Sequence, residues 1–583
     1  MAKTVAADRS GERDTVAGET QSMTAGGALL ARMKALGVDY IFANSGTDFP
    51  PIIEGLAEAE AKGMELPQAL VMPHEAAAMG MAHGYYFATG RAQAVMAHTN
   101  VGLANCALGA INAATDHVPM LLFSGRTPTT EKGRLGTRTV PIGWGQEMRD
   151  QAALVREACK WDYELRFPEQ VVDSIDRAYA IAGAAPRGPV YVSLPREVLC
   201  QPCPADGLDA PASITPPALG LHQPSIEQAA KILAASKNPL IIAQRGAGSD
   251  AGFAALAAIA ERHAIPVCQY WAVKLAIALD HPMAAPFDPA ALIEKADAIL
   301  VIDSLAPWSP DIHELQPGCK VIHLGQDPLY SRFPVRNFRC DLAITADVAD
   351  GLMALDTALS AADVDSDVVE QRRTRVACDN KSARQAAIAR AKAGNGSPMT
   401  KDWVSLCLSD AVKSRDASIL SELGAPMAPM ALDHPRAWYQ EPHSGGLGWS
   451  FPAALGMQLA DRDRLIVATM GDGAYMFANP VACHQIAEAL DLPILIVIVN
   501  NAEWGAVRHS VLGIYPDGYA SKTNRMPLTA LSPVPDFTKV AEASRAYART
   551  VTDGADLPDA LSEAIRHIEE NRTLALLDVR VRP

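Results

Sequence analysis

Gly471-Asp472-Gly473 is followed, after twenty-six residues, by Asn500-Asn501. Asp472 and the side-chain oxygen of Asn501 are hard donors, the kind that Mg2+ and Ca2+ prefer. The glycines flanking the acid let backbone come close to a ligand. Magnesium held by few protein oxygens keeps waters and is commonly shared with phosphates, so the pair is read as a site for a metal and a diphosphate. A lone Gly-Asp-Gly is more often a plain turn. Here each polar cluster ends an apolar run, LIVATM or PILIVIV. If those runs are neighbouring parallel strands, both clusters emerge at the carboxyl edge of one sheet, where open α/β folds bind ligands.

A second acid of interest is Glu75, in MPHEAAAMGMAHGYY. Its bland role is to complement the dipole at a helix start. Its Ala- and Met-rich setting favours a protonated carboxyl, which is a different chemistry. The run HEAAA lacks the second histidine of a zinc motif.

These residues need elements to hold them. From about 23 to 195, helical and strand patterns alternate: MTAGGALLARMKALGV, DYIFANSG, EAAAMGMAHGYYFATG, AQAVMAHTN, VPMLLFSG and GPVYVSLP. Such alternation implies a parallel sheet covered on both faces. A Pro-rich stretch, QPCPADGLDAPASITPPALGLHQP, is expected to be a linker. A second α/β unit follows over about 226–355, with strands PLIIAQ, IPVCQY, AILVID and KVIHLG. A charged helical connector leads to a third unit, about 396–583, with strands ASILSEL, RLIVATMGDG, LPILIVIVNN and TLALLDVRV. The predicted architecture is three open parallel-sheet α/β domains. No short repeat links them, although the first and third could share a fold.

Composition limits the function classes. The chain has 583 residues, 49% hydrophobic and 6% aromatic, with a net charge of −15. That profile suits a large α/β enzyme and offers no basic stripe for nucleic acid or a membrane surface. No apolar run reaches the roughly 18 residues that cross a bilayer. Residues 1–22 are polar, lack the apolar core of a signal peptide and are expected to be a disordered tail. Ten scattered cysteines include one Cys-x-x-Cys, Cys200 and Cys203, expected to be linker thiols. Reduced thiols suggest a cytoplasmic protein.

Gly-Asp-Gly, about two dozen residues, then Asn-Asn resembles the cofactor motif of thiamine diphosphate enzymes, and the likeness spans nearly the whole chain after the tail. It is nearest to the group of acetolactate synthase, benzoylformate decarboxylase and pyruvate decarboxylase. The resemblance implies a pyrimidine-binding, a central and a diphosphate-binding domain, in that order. It implies that Asp472, Asn501 and the main-chain carbonyl of Glu503 hold Mg2+, with Trp504 and Gly505 in the same cofactor loop. Ala474 stands where many relatives have serine. It implies that Glu75 shares a proton with the pyrimidine N1′ and so activates the thiazolium C2. HSGGLGWSFPAALG matches the glycine-rich stretch in which Gly446 and Leu447 meet the cofactor, Leu447 wedging between its rings. SELGAP places Gly424 and Ala425 at the diphosphate through backbone, since hydroxyls found in some relatives are missing. The resemblance also implies a homodimer or homotetramer whose active sites are shared between subunits.

Substrate-side candidates come from the first domain and the loop after the metal. FANSGTDFP offers Thr47 and Asp48, and AHTNVGLAN offers His98, with Asn100 and Asn105 behind it. GWGQEMRDQ resembles the acetolactate synthase segment in which Gln146 would face the thiazolium from a partner subunit; Gly145 replaces a bulky aromatic there. Val507 stands near the acid of pyruvate decarboxylases and removes that proton donor, while Arg508, His509 and Tyr515 could contact substrate. The central turn RGAGSDAG does not fit a dinucleotide fingerprint, so bound FAD is not expected. The implied activity is making or breaking a carbon–carbon bond beside a carbonyl of a 2-oxo acid or related compound, as an acetolactate synthase-like carboligase or lyase. The alternatives are a decarboxylase of the benzoylformate decarboxylase type and, from another class, a flavin- or nucleotide-dependent oxidoreductase.

Overall fold

The computed structural model describes residues 22–205 and 207–582. The expected tail therefore lies outside the described residues, except Ser22, which opens the short strand β1 (Ser22–Thr24).

The first domain holds β2 (Tyr40–Ala43), β3 (Gln68–Val71), β4 (Gln93–Ala97), β5 (Met120–Arg126), β6 (Asp162–Glu164) and β7 (Pro189–Pro195). They form one sheet in the order β3-β2-β4-β5-β7-β6, and every pairing is parallel. The Pro-rich linker begins with a strand, β8 (Pro202–Pro204), which pairs antiparallel with β1 and ties the start of the domain to its end. This is a departure from the linker expected there. Cys203 is buried in β8 with its thiol on the Pro168 carbonyl at 3.3 Å, and both it and Cys200 are free thiols.

The central domain adds β9 (Pro239–Ala243), β10 (Val267–Cys268), β11 (Ala298–Ile302), β12 (Lys320–Gly325) and β13 (Leu342–Thr345), in the order β10-β9-β11-β12-β13. In its Gly-rich turn, a side chain at Gly248 or Gly252 would collide with Ala349 on helix Val348–Ser360. Both glycines thus serve close helix packing. The connector is one helix, Ser366–Ala393.

The third domain contains β14 (Ala417–Glu422), β15 (Trp438–Gln440), β16 (Leu465–Gly471), β17 (Leu495–Asn500), β18 (Tyr547–Val551) and β19 (Ala575–Arg580). Their order is β15-β14-β16-β17-β19-β18, again all parallel. Strand for strand this repeats the first domain. The central strands agree with the sequence reading because each is a continuous apolar run buried on both faces. The short edge strands β3, β6, β15 and β18 are additions to it.

The first and third domains join through two helices that occupy equivalent positions in their sheets, Glu75–Thr89 after β3 and Ser450–Ala460 after β15. Glycines let them close in: a side chain at Gly84 would strike the Ala453 backbone, and one at Gly456 the Met81 backbone. Their apolar faces merge with both sheets into one core.

Candidate active site

β16 and β17 are neighbours, with Gly471 opposite Val499, so Asp472 and Asn501 leave the same edge of the third sheet. Asp472 starts a short helix, Asp472–Phe477, and is 1% exposed. Asn500 points the other way: its amide donates to Asp578 at 2.8 Å and its oxygen accepts from Ala502 N at 3.1 Å, which braces the strand end. Ala502 has φ 58°, and this left-handed residue turns the chain back toward the cluster.

The Asn501 side-chain oxygen lies 3.2 Å from Asp472 Oδ1 and 2.9 Å from the Glu503 carbonyl oxygen. Asn501 Oδ1 accepts from Glu503 N at 3.3 Å, but no proton lies between it and the Asp472 and Glu503 oxygens. Turning the amide over would place its NH2 there, donating to both. A hard cation satisfies the same three oxygens without the turn. Asp472 Oδ2 is also buried without a hydrogen-bond partner among the described residues. The donor set therefore fits an oxygen-seeking divalent ion. The Glu503 carboxylate is engaged elsewhere, by Arg508 Nε at 2.6 Å, and Arg508 also reaches Asn524 at 2.7 Å. Arg508 thus braces the loop, whereas Val507, His509 and Tyr515 are exposed. Trp504 packs its ring on Gly473, where any side chain would overlap it. The neighbouring Ala474 is buried.

Beside this loop, Gly424 sits so close to the Thr469 backbone that a side chain there would collide. Ala425 N donates to Thr469 Oγ1 at 3.1 Å. Glu422, at the end of β14, accepts from Gly448 N at 2.5 Å and Ser450 N at 2.7 Å and so fixes the chain around Leu447. Burial pushes the Glu422 carboxyl up to about 7. The Gly446 carbonyl accepts from Asn112 at 2.9 Å. Leu447 lines a small void with Ala76 and Met79, on the helix that Glu75 begins.

In the first domain, the His74 side chain caps that helix by accepting from Ala76 N at 3.1 Å. Glu75 is buried, receives a hydrogen bond from Asn105 Nδ2 at 3.0 Å and lies against Gly102. Its hydrogen bond thus stays within the first domain.

At the end of β4, His98 Nδ1 is 2.5 Å from Asp48 Oδ1, and Asp48 Oδ2 accepts from Thr99 N at 3.2 Å. His98 Nε2 is 3.0 Å from Gln146 Nε2. The Asp48 hydrogen bond raises the His98 pKa above its ordinary value, against the effect of burial. Two glycines make room: a side chain at Gly46 would overlap the His98 ring, and one at Gly125 the Asp48 carboxylate. The sequence reading puts Asp48 at the substrate; the structure buries it and turns it onto His98. Gln146, expected to face the thiazolium across a subunit interface, bonds His98 of its own domain. Gly145 has open space around it. Thr47 is exposed and its carbonyl accepts from Arg196 at 2.9 Å, while Asn100 is half-buried beside Thr99. Nothing in the sequence signals the Asp48–His98 pairing, because fifty residues separate the partners.

Among the described residues no helix is long and apolar enough to cross a membrane.

Three family models match in order: the N-terminal TPP binding domain of thiamine pyrophosphate enzymes over residues 23–154, the central domain over 226–355 and the C-terminal TPP binding domain over 424–579. A protein named probable 2-ketoarginine decarboxylase, from Pseudomonas aeruginosa, is 28% identical over 96% of this chain and 94% of its own length. One named probable acetolactate synthase large subunit, from Methanocaldococcus jannaschii, is 25% identical over 95% of this chain and 91% of its own. The fold is also that of a thiamine diphosphate-dependent 4-hydroxybenzoylformate decarboxylase from Rhodococcus jostii, with TM-score 0.76 and 22% identity over 96% of this chain and 99% of that one. With all three models matched in sequence and relatives aligned over almost the full length, this chain belongs to the thiamine pyrophosphate-dependent enzymes, in the family that includes acetolactate synthases and decarboxylases.

Proposed function

We propose that this enzyme uses thiamine diphosphate and Mg2+ to cleave or form a carbon–carbon bond beside the carbonyl of a 2-oxo acid. The observation that carries the reading is the meeting of Asp472 Oδ1, Asn501 Oδ1 and Glu503 O at adjacent strand ends. Those three oxygens would hold the cation, and the Gly424-Ala425 and Gly471–Ala474 backbone would receive the diphosphate. When bound, thiamine diphosphate supplies the carbanion that adds to a carbonyl and the sink for the electrons of the broken bond. Glu75 would share a proton with the pyrimidine of the bound cofactor, and Asn105 keeps its carboxyl in place.

The Asp48–His98 pair supports a decarboxylase. A histidine whose cationic form is favoured by a carboxylate can receive a substrate carboxylate and later return a proton to carbon. The carboligase reading is favoured by the open space at Gly145, next to Gln146, where a second carbonyl compound would fit. A panel of 2-oxo acids decides between them. It should include one with a guanidino side chain, the class named for one relative. Aldehyde plus CO2 supports the first reading, an acyloin or 2-hydroxy-3-oxo acid product the second, and no turnover of any 2-oxo acid overturns both. A flavin oxidoreductase would instead purify yellow.

Replacing Asp48 with Asn should lower the His98 pKa, because the main cause of its rise is removed. The cationic form is then lost at lower pH, so the alkaline limb of the kcat/KM profile moves to lower pH, with a fall of about 100-fold above it. NMR titration of the His98 ring checks the shift directly. An unmoved ring pKa would show that Asp48 has only a packing role.

Glu75 and Asp472 lie in different domains, and one cofactor must touch both. We infer that the site is completed across a two-fold interface. Val101, Leu108 and Ile111 support this, since they form an exposed apolar stripe on helix Thr99–Thr115, which also carries Asn105. Co-expressed Glu75→Ala and Asp472→Ala chains, each inactive alone, should regain roughly a quarter of wild-type activity, as random pairing into closed dimers requires. No recovery despite mixed dimers in mass spectrometry would mean that each site is built within one chain, through the contact of Leu447 with the Glu75 helix.

A further inference from the structure

A cleft of about 450 Å3 opens at the carboxyl end of β14. Its floor is Ser421, Leu423, Gly424 and Ala425, and Lys401 stands in its wall. Lys401 is the first residue of helix Lys401–Val412, which Thr400 caps by accepting from Trp403 N. The helix runs back into β14, so its first turn belongs to the ligand-binding edge. Lys401 Nζ donates to the Leu423 carbonyl at 3.1 Å, its one hydrogen bond among the described residues. Burial lowers the Lys401 pKa, and the nearby charges of Asp472 and Glu441 oppose that shift. Glu441 does not neutralise it, since burial first and the nearby Glu422 second push the Glu441 carboxyl up to about 8. An ammonium thus waits partly desolvated at the rim of the proposed cofactor loop.

The loops proposed to receive the diphosphate offer no free hydroxyl. Ala474, Gly424 and Ala425 carry no hydroxyl. The two hydroxyls nearby are used internally: Ser421 Oγ donates to the Ala425 carbonyl at 3.2 Å, and Thr469 Oγ1 accepts from Ala425 N at 3.1 Å. A diphosphate carries more negative charge than one divalent cation cancels. A lysine ammonium is an established point-charge partner for phosphate, and its flexible stem needs only a rotamer change to leave Leu423.

We propose that Lys401 binds the terminal phosphate of thiamine diphosphate and replaces by charge the hydroxyl contacts that this chain lacks. The proposal rests on the thiamine diphosphate reading above. It also gives a ligand preference: the diphosphate over the monophosphate, by more than cation bridging alone would produce.

The test is calorimetry on the full-length protein with saturating Mg2+, using thiamine diphosphate and thiamine monophosphate as probes. Lys401→Met should weaken diphosphate binding by about tenfold or more, the size expected for one charge-assisted contact, with a smaller effect on the monophosphate. Lys401→Arg should restore binding to within about threefold, and added salt should weaken the wild type more than Lys401→Met. Should Lys401→Met fail to fold by circular dichroism, the wild type still decides. Acetylation of Lys401, followed by mass spectrometry, should be blocked by thiamine diphosphate with Mg2+ and not by thiamine. Equal diphosphate affinity in wild type and Lys401→Met overturns the proposal, as does unprotected Lys401. A raised KM for the 2-oxo acid with unchanged cofactor affinity also overturns it and assigns the ammonium to the substrate carboxylate. A wild type that binds no thiamine diphosphate at all refutes the underlying reading instead.

Discussion

Exchange of the thiazolium C2 proton in Glu75→Gln, followed by NMR in deuterated buffer, should slow by about two to four orders of magnitude, the range for losing a positioned proton-transfer group. The substitution keeps the shape of the side chain, and the amide oxygen of the introduced glutamine can still accept from Asn105, so the neighbourhood of Gly102 need not move. Cofactor affinity should therefore stay within about threefold, because the lost interaction concerns a proton and not a contact. The split between unchanged binding and collapsed exchange is the diagnostic. Unchanged exchange would reduce Glu75 to a first-turn acid of its helix.

Asp472→Ala should act in the opposite way. Removing it takes the only charged oxygen from the triangle with Asn501 and Glu503. Loss of partners that merely orient metal ligands costs about 10- to 100-fold in affinity, so loss of a ligand should weaken Mg2+-dependent cofactor binding by more than about 100-fold. EDTA should bring the wild type to the same weak binding. The apo protein should not suffer: Asp472 Oδ2 is buried without a partner, and burial raises its pKa, so its charge is a burden when no cation is present. The melting temperature of apo Asp472→Ala should equal or exceed that of the apo wild type. Near-wild-type cofactor affinity in the mutant would remove Asp472 from the metal site.

What can be read from the sequence follows what is local. PILIVIV and LIVATM announce strands because parallel strands covered on both faces are continuous apolar runs, and their polar ends then have to share an edge. The burial of Glu75 is legible through its apolar surroundings. The edge strands are not, since QALV, DYE and WYQ are too short to show a period. Roles set by distant partners are equally hidden. Asp48 looks like any turn acid until the fold brings His98 to it, and Arg508 looks free until the loop places Glu503 beside it. Lys401 lies 22 residues before Leu423, which it bonds, and carries no motif.

The first and third sheets share one strand order, and the helices that join them come from the same place in each. Equivalent helix packed on equivalent helix has the form of an isologous contact held inside a single polypeptide. Linkage in one chain relaxes a constraint. Two identical subunits must tolerate each substitution twice, once on each side of their axis, whereas two linked halves accumulate changes independently. The strand ends after β4 and β16 differ accordingly, one carrying an imidazole and the other a carboxylate. Equivalent corners of one strand plan thus present different side chains, to which the function proposed above gives proton chemistry in the first domain and a cation in the third.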